Sequence, residues 1–165
     1  MLYNSFWLKK AAILNEIKIM RMLQHPNIIT LNEVYETDSS FYMIMEMLEG
    51  GSLRDRLGKE KIEKEAVFSI MKGVLLGLCH MHKKGIMHRD IKPENILFRK
   101  NGNCEEDVCI ADMGLATLVD EEIYLFNRCG TPGFVAPEIL TLKDEKANYS
   151  EKCDVFSLGI IYHIL

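Results

Sequence analysis

A polar stretch near the middle of the chain brings an acid, an amine and an amide close together in sequence. Residues 88–95 read His-Arg-Asp-Ile-Lys-Pro-Glu-Asn. Pro93 has no backbone N–H and keeps Lys92 out of helical geometry, so the stretch is predicted to be a loop. Alternate side chains of an extended segment share one side, and Asp90 and Lys92 are therefore expected to point together while Ile91 turns inward.

A second acid is expected beside this loop because two short strands follow it. Residues 96–98 and 108–111 are apolar runs that predict buried strands, and an Asn-Gly-Asn turn at 101–103 lies between them. If the strands pair antiparallel, Asn95 at the start of the first lies opposite Asp112 at the end of the second. The sequence therefore predicts that both acids, the amine and the amide converge.

These side-chain types suit the transfer of a phosphoryl group. Carboxylate and amide oxygens are ligands that Mg²⁺ prefers while it keeps phosphate oxygens and water, so Asn95 and Asp112 are candidate metal ligands. Asp90 is the candidate for accepting or orienting a hydroxyl proton, and Lys92 for neutralising charge on the transferred group. The alternative is a hairpin whose acids only face solvent.

The order of three motifs resembles the protein kinase family. The polar loop is followed by Asp-Met-Gly at 112–114 and by Ala-Pro-Glu at 136–138, in the order of the family. Lys92 and the Gly-Thr-Pro at 130–132 resemble the serine/threonine version of the family. The amino-acid sequences around these two motifs are most similar to the calcium/calmodulin-dependent and calcium-dependent kinase group. The resemblance extends from the family's C helix to its F helix.

This resemblance implies an α+β, protein-kinase-like two-lobe fold that is incomplete. Residues 1–46 would be a remnant of the small lobe without its first three strands, 47–51 the hinge, and 52–165 the part of the large lobe that ends inside the F helix. The sequence contains no Gly-x-Gly-x-x-Gly and no Val-Ala-x-Lys. The expectation is a fragment of a kinase domain, or an incomplete gene model, with weak or no activity of its own.

The family's functional residues carry over position by position. The resemblance implies a catalytic set of Asp90, Lys92, Asn95 and Thr131, in which Thr131 bonds to Asp90 and Lys92. It also implies Mg²⁺ held by Asn95 and Asp112.

The resemblance likewise implies an ATP site. Met45 would be the gatekeeper, Glu46 and Leu48 would bond adenine through hinge backbone groups, and Leu97 and Glu16 would complete the site. Glu16 stands where the family's helix glutamate pairs with a strand lysine, and the lysines nearest to it lie on its own helix. Two alternatives therefore stay open for Glu16, a place in the cofactor site or a solvated or locally paired side chain.

Apolar periodicity predicts the elements that position these residues. Residues 5–24 and 63–83 show helical spacing, and the second helix carries a wide apolar stripe of Val67, Ile70, Met71, Val74, Leu75, Leu78 and Met81. Residues 28–35 and 41–46 are strand candidates. Ser52 and Ser150 are predicted to cap helices. By resemblance, Asp154 would anchor the backbone of the catalytic loop.

Composition limits the partners. The net charge of −4 and the pI of about 5.8 argue against nucleic-acid binding. No apolar run approaches the roughly 20 residues that span a bilayer, and the amino terminus does not resemble a secretory signal. The 5 cysteines are odd in number and lack a Cys-x-x-Cys, which favours a reducing, cytoplasmic location.

The resemblance also implies partners. These are protein substrates that carry serine or threonine, with a basic residue upstream that faces Glu94, and a calcium-sensing regulatory region outside this chain. Arg89 normally accompanies control by phosphorylation, yet the usual phosphosite is Asn127 here. The acids at 120–122 would replace the phosphate or simply be solvated, and Cys129 would be a redox-sensitive thiol or an ordinary semi-buried side chain.

Two functional classes follow from this pattern. The first is an ATP-dependent kinase that acts on serine and threonine. The second is a pseudokinase-like interaction module or an inactive fragment. Retention of Asp90, Lys92, Asn95 and Asp112 favours the enzyme, because a binding module does not need all four.

Overall fold

The computed structural model describes residues 2–59, 62–100, 107–121, 124–142 and 149–165, with only the backbone described for residues 2–8. Helices and strands mix along the chain, as expected of the α+β class. In order they are α1 (Leu2–Met22), β1 (Leu31–Glu36), β2 (Phe41–Met45), α2 (Leu53–Leu57), α3 (Lys64–Lys83), β3 (Ile86–Met87), β4 (Ile96–Phe98), β5 (Val108–Ile110), β6 (Thr117–Leu118), α4 (Pro137–Leu140) and α5 (Lys152–Ile164). A single 3₁₀ turn, Pro93–Asn95, precedes β4.

The described strands form three antiparallel pairs, β1–β2, β3–β6 and β4–β5. In the β4–β5 pair Ile96 lies opposite Ile110 and Phe98 opposite Val108, which confirms the predicted antiparallel ribbon. The predicted turn at 101–103 lies outside the described residues. Because the ribbon starts at Ile96 and ends at Ile110, its open end carries the two polar segments of the site.

The segment after α1 is fastened to β5 rather than forming a long strand. The Ile110 N–H donates to the Asn27 carbonyl and the Ile29 N–H donates to the Ile110 carbonyl, both at 2.9 Å. The Asn27 side chain also donates to the Val108 carbonyl at 2.8 Å. The predicted strand at 28–35 therefore begins only at Leu31, since the preceding residues bond to a different ribbon.

Helix α3 forms the centre of the main core. Ile70, Val74 and Met81 are completely buried, at the spacing of one helical face. The predicted stripe is too wide, because Leu75 is 49% exposed. Gly77 lies on the buried face, where an added Cβ would come within 2.8 Å of the Asn27 carbonyl oxygen, so the helix packs closely only because this side chain is absent.

The two predicted helix caps have different outcomes. Ser52 caps α2 in a full capping box, in which its side chain accepts from the Asp55 N–H and Asp55 accepts from the Ser52 N–H. Ser150 contacts the start of α5 more weakly, since its hydroxyl oxygen accepts the N–H of Lys152, the first residue of that helix, at 3.5 Å. Glu151, which directly precedes the helix, makes no capping side-chain bond, and the Ser150 carbonyl accepts from the Cys153 N–H.

A second, smaller core lies beneath the segment that follows the β4–β5 ribbon. Its buried members come from this segment, from β3 and from the start of α5, and they are Met87, Tyr124, Ala136, Ile139, Tyr149 and Cys153. The segment 124–142 is therefore positioned by a core of its own.

The described helices include none that is long and apolar enough to cross a membrane.

The burial of Ile70 leads to a prediction on stability. The Ile70→Ala variant is expected to lose about 2–5 kcal/mol of unfolding free energy, because it removes buried methyl groups and leaves a cavity. Urea unfolding followed by circular dichroism measures this loss. Leu75→Ala on the same helix is the control, and an equal loss in both variants would contradict the assigned core face.

Candidate active site

The backbone of the loop at 88–92 is held by one buried carboxylate. Asp154 on α5 is 0% exposed and accepts the N–H of His88 at 2.9 Å and the N–H of Arg89 at 2.8 Å. This is the contact that the resemblance implied for Asp154. Arg89 has a φ of 69°, a conformation that non-glycine residues rarely adopt. A residue in such a conformation typically costs about 1–3 kcal/mol, and the two hydrogen bonds to Asp154 hold the loop in this strained shape.

Two histidines complete this support. His82 at the end of α3 places its Nε2 2.9 Å from Asp154 Oδ2, the oxygen that also accepts the His88 N–H. The His88 Nδ1 accepts from the Asp90 N–H at 3.2 Å, so its proton lies on Nε2, which faces the Ala111 carbonyl at 3.0 Å. The His88 ring thus joins the loop to the end of β5, and His82 supports the loop through Asp154.

Three side chains, those of Lys92, Thr131 and Asn95, converge on Asp90. Lys92 Nζ donates to Asp90 Oδ2 at 2.7 Å, and the Thr131 hydroxyl donates to Oδ1 at 2.7 Å. Lys92 also donates to Thr131 at 2.9 Å, and the Asn95 amide donates to the Asp90 carbonyl at 3.0 Å. Ile91 is completely buried beneath them. The predicted contacts are present, and the catalytic roles stay predictions.

The Asp90 carboxylate is stabilised in its charged form. Burial alone raises the pKa of a carboxyl group, but the hydrogen bonds from Lys92 and Thr131 and the charge of Lys92 outweigh it. The net result is a pKa below the ordinary value for aspartate. Asp90 therefore presents a fixed anion, 8% exposed, at the surface of the loop.

Asp112 lies next to Asn95 at the end of the ribbon. The Ala111 N–H donates to the Asn95 carbonyl at 2.9 Å, which joins the two polar segments. Asp112 is exposed and has a φ of 62°, which its own Oδ1 supports by accepting the Gly114 N–H at 3.1 Å. The amide group of Asn95 uses its nitrogen to bond Asp90, which leaves its oxygen for another partner.

This donor set fits Mg²⁺. An amide oxygen and an exposed carboxylate are hard ligands of the kind that magnesium takes together with phosphate oxygens and water. Among the described residues no group of three or more His, Cys, Asp or Glu side chains is arranged for a metal. A magnesium ion would therefore depend on Asn95, Asp112 and the substrate, and these ligand roles stay predictions.

Glu16 is partly exposed, and both alternatives for it, a place in the cofactor site or a solvated or locally paired side chain, stay predictions. Its carboxylate is half-buried, and a Cβ added at Gly114 would lie 3.8 Å from its Oε2. Burial and then the charge of Asp112 raise the pKa of Glu16. No cation within the described ranges bonds to it. The helix thus brings this acid to the Asp112 side of the site, and its cofactor role stays a prediction.

The residues predicted to bind ATP lie along a stretch that runs beside β4. Backbone hydrogen bonds of 2.8–3.2 Å join residues 49–51 to residues 98–99. Leu48 and Leu97 are both partly buried against the main core. Met45, the last residue of β2, is 41% exposed. The structure places these residues along one stretch, and the assignment to ATP stays a prediction.

Glu46 makes contacts that the sequence did not indicate. Its carboxylate binds Arg99 through two hydrogen bonds of 3.0 and 3.1 Å and accepts the Thr30 N–H at 2.8 Å. All three bonds are made by the carboxylate of Glu46, so they leave its backbone carbonyl, the group that the resemblance assigns to the nucleotide, out of this ion pair. That role stays a prediction.

The segment that carries Thr131 is anchored by residues without a local sequence signal. Ser157 on α5 donates its hydroxyl to the Phe134 carbonyl at 2.7 Å. The stretch between Asp112 and this segment is held in turn by Asn15 on α1, which donates to the Ala116 carbonyl at 2.8 Å. Gly130 has a φ of 110° and lies so close to Arg89 that a Cβ would meet the Arg89 carbonyl oxygen at 2.9 Å.

Comparison with known proteins identifies this arrangement. The family model described as "Protein kinase domain" matches residues 3–165, so the chain belongs to the protein kinase domain family. A calcium/calmodulin-dependent protein kinase type 1 from Macrobrachium nipponense is 40% identical over 159 residues, which are 95% of this chain and 44% of that protein. This confirms the resemblance and the kinase-like α+β fold.

Two further relatives have the same character. A probable myosin light chain kinase from Dictyostelium discoideum is 38% identical over 159 residues, which are 94% of this chain and 50% of that protein. A serine/threonine-protein kinase from Homo sapiens is 42% identical over 159 residues, which are 95% of this chain and 24% of that protein. The chain thus spans half or less of the length of these relatives. The division at 1–46, 47–51 and 52–165 stays a prediction.

The Thr131 hydrogen bond leads to a prediction on pH. We expect Thr131→Val to raise the pKa of Asp90, because the hydroxyl that donates to Oδ1 is lost. The folded-state pKa of Asp90 lies below the unfolded value of about 3.9, so the carboxylate stabilises the fold above that pH. That stabilisation is lost as pH falls through the folded pKa, and acid unfolding of the variant should therefore begin at a higher pH.

An NMR titration of the Asp90 carboxyl carbon measures this shift. Thr141→Val is the control, since the bonds of the Thr141 hydroxyl to described residues are to the Pro137 and Glu138 carbonyls of α4. The same Asp90 pKa in both variants would show that Thr131 does not stabilise the carboxylate.

Proposed function

We propose that the protein transfers a phosphoryl group from ATP to serine and threonine hydroxyl groups of other proteins. The observation that carries this proposal is the network in which Lys92, Thr131 and Asn95 bond to Asp90, while the Asn95 carbonyl accepts the N–H of Ala111, the residue before Asp112. Protein kinases generally use ATP and magnesium, and of the three relatives named above one is described as a serine/threonine-protein kinase and the other two as kinases. A binding module has no need of a fixed acid with this set of donors.

The network suggests a division of roles. Asp90 is anionic at neutral pH, so it can accept the proton of an acceptor hydroxyl and orient the oxygen towards the phosphate. Its low pKa makes Asp90 a weak base, so its larger contribution to the rate would come from positioning the acceptor hydroxyl. Lys92 lies against the same carboxylate and supplies positive charge beside the group in transit.

Asn95 and Asp112 are the residues that would hold magnesium. When bound, the ion would neutralise the phosphate oxygens and orient them for transfer. Asn95 lies directly before β4 and Asp112 two residues after β5, so the β4–β5 pairing sets the positions of both. Sites supported by paired strands are held more precisely than sites on loops, as metal and phosphate sites require.

We further propose that the stretch 45–48, together with Leu97, forms the adenine side of the ATP site. Support comes from the Glu46 side chain, whose carboxylate is bonded to Arg99. Contact of Glu46 with the nucleotide would therefore be made by its backbone groups. Glu16 would face the phosphates from the Asp112 side. Its raised pKa fits an acid that lacks a cation partner in the described part of the chain.

The substrate preference includes a basic residue upstream of the acceptor. Support comes from Glu94, whose carboxylate is 48% exposed on the same 3₁₀ turn as Asn95. Arg54 of α2 lies 3.7 Å from it and is 67% exposed, so a substrate arginine would compete with a weak surface ion pair. Regulation by calcium is proposed from the description of one relative as calcium/calmodulin-dependent.

The metal assignment leads to a prediction on ligand binding. Magnesium-ATP at about 100 times its Kd is expected to stabilise the protein by about 2.7 kcal/mol, which raises the melting temperature. Asp112→Ala should remove this increase, while Asp120→Ala, an exposed acid in the same region, should retain it. Differential scanning fluorimetry measures both. Equal shifts in the two variants would reject Asp112 as a magnesium ligand.

The Asp90 network leads to a prediction on activity. In a protein that phosphorylates a serine peptide, Asp90→Asn and Lys92→Met are each expected to lower kcat by about 10²–10⁴-fold, the usual contribution of a positioned acid or base. Transfer of labelled phosphate measures this change. Asp120→Asn serves as the control and should keep the rate. Full activity in Asp90→Asn would exclude the proposed mechanism.

A further inference from the structure

The guanidinium group of Arg89 is enclosed by neutral groups. Its Nε donates to the Leu115 carbonyl at 2.7 Å, and its Nη1 donates to the Phe126 carbonyl at 2.6 Å. Nη1 also donates to the Tyr149 hydroxyl at 3.0 Å. The ring of Tyr124 lies 5.1 Å from the guanidinium carbon. Arg89 is 5% exposed, so all these contacts are shielded from solvent.

Tyr149 connects this guanidinium to the segment that carries Thr131. Burial is the main reason why the pKa of its hydroxyl lies above the ordinary value, so the group stays uncharged. Because the hydroxyl oxygen accepts from Arg89, its proton is available to Cys129, whose Sγ lies 3.7 Å away. Cys129 stands two residues before Thr131. A short chain of contacts thus leads from the loop to the Asp90 network.

Between residues 114 and 132, each hydroxyl group that could carry a phosphate to Arg89 is buried or already bonded. Between residues 114 and 132 the hydroxyl-bearing side chains are those of Thr117, Tyr124 and Thr131. Thr117 and Tyr124 are 5% and 3% exposed. The Thr131 hydroxyl is already bonded within the Asp90 network. The position of the expected phosphosite is occupied by Asn127, which cannot be phosphorylated.

Two carboxylates near Arg89 oppose the addition of further negative charge. Burial raises the pKa of the Cys129 thiol, Arg89 and the Tyr149 hydrogen bond lower it, and the carboxylates of Asp90 and Asp154 raise it. A phosphate adds close to two more negative charges at neutral pH. In the described part of the chain, the cation that acts on Tyr124, Cys129 and Tyr149 is Arg89 itself. Neutral partners satisfy it without adding charge.

We propose that Tyr149 is a positioning residue that takes the place of an activating phosphate at Arg89. Its hydroxyl closes the contacts of the guanidinium and holds the segment 124–142 in the conformation that places Thr131 against Asp90. The segment is therefore ordered in the unphosphorylated protein. The effect on peptide binding rests on the proposed function, whereas the ordering of the segment does not.

Tyr149→Phe tests this role, because it removes only the hydroxyl oxygen. The full chain is treated with a non-specific phosphatase, checked by mass spectrometry, and compared by amide hydrogen exchange with the untreated protein. Tyr162→Phe is the matched control, since Tyr162 is 63% exposed on α5. Exchange of the α3 amides reports whether each variant keeps its fold.

We expect phosphatase treatment to leave exchange in the segment 124–142 unchanged. Tyr149→Phe should speed exchange there roughly tenfold or more, the usual effect of losing a hydrogen bond to a charged group, with α3 unaffected. In a peptide phosphorylation assay its KM for the peptide should rise severalfold, and its KM for ATP should stay constant. A purely structural defect would change both KM values and the α3 exchange.

Two results would overturn the proposal. One is a phosphatase-treated wild type whose segment loses its protection. The other is a Tyr149→Phe variant that exchanges like Tyr162→Phe. If no variant phosphorylates any peptide, the proposed function fails, and the exchange measurements still decide the role of Tyr149.

Discussion

The buried carboxylate of Asp154 is the interaction on which the site depends. It accepts two backbone N–H groups, from His88 and Arg89, and it contacts His82. A buried carboxylate without partners is very unfavourable. These three contacts therefore stabilise the buried Asp154 as well as the loop. The direction of the Asp90 side chain follows from that backbone. A helix near the end of the chain thereby sets the geometry of a loop about sixty residues before it.

Local patterns in the sequence were sufficient to predict much of this arrangement. Pro93 and the alternation around it predicted the loop in which Lys92 bonds to Asp90. Two apolar runs predicted the antiparallel ribbon and hence the proximity of the segments that carry Asn95 and Asp112. Each of these predictions rests on residues close in sequence, where backbone geometry determines which side chains can meet.

The remaining contacts join residues far apart in the chain, and no local pattern encodes them. The pairing of Glu46 with Arg99 and the contact of Tyr149 with Arg89 are of this kind. Periodicity also identifies an apolar face without showing what covers it, which is why the apolar stripe of α3 includes Leu75 although that side chain is 49% exposed. The environment of Glu16 was missed for the same reason, since Asp112 reaches it only through the tertiary fold.

The β4–β5 ribbon has a partner along each of its long sides. On one side β5 exchanges backbone hydrogen bonds with residues 27–29, and on the other β4 bonds to residues 49–51. Unpaired strand edges invite pairing with other chains and so promote aggregation. The ribbon that carries Asn95 and Asp112 is protected in this way although it consists of only two short strands. Its polar end can stay open to solvent and small molecules without making the protein adhere to copies of itself.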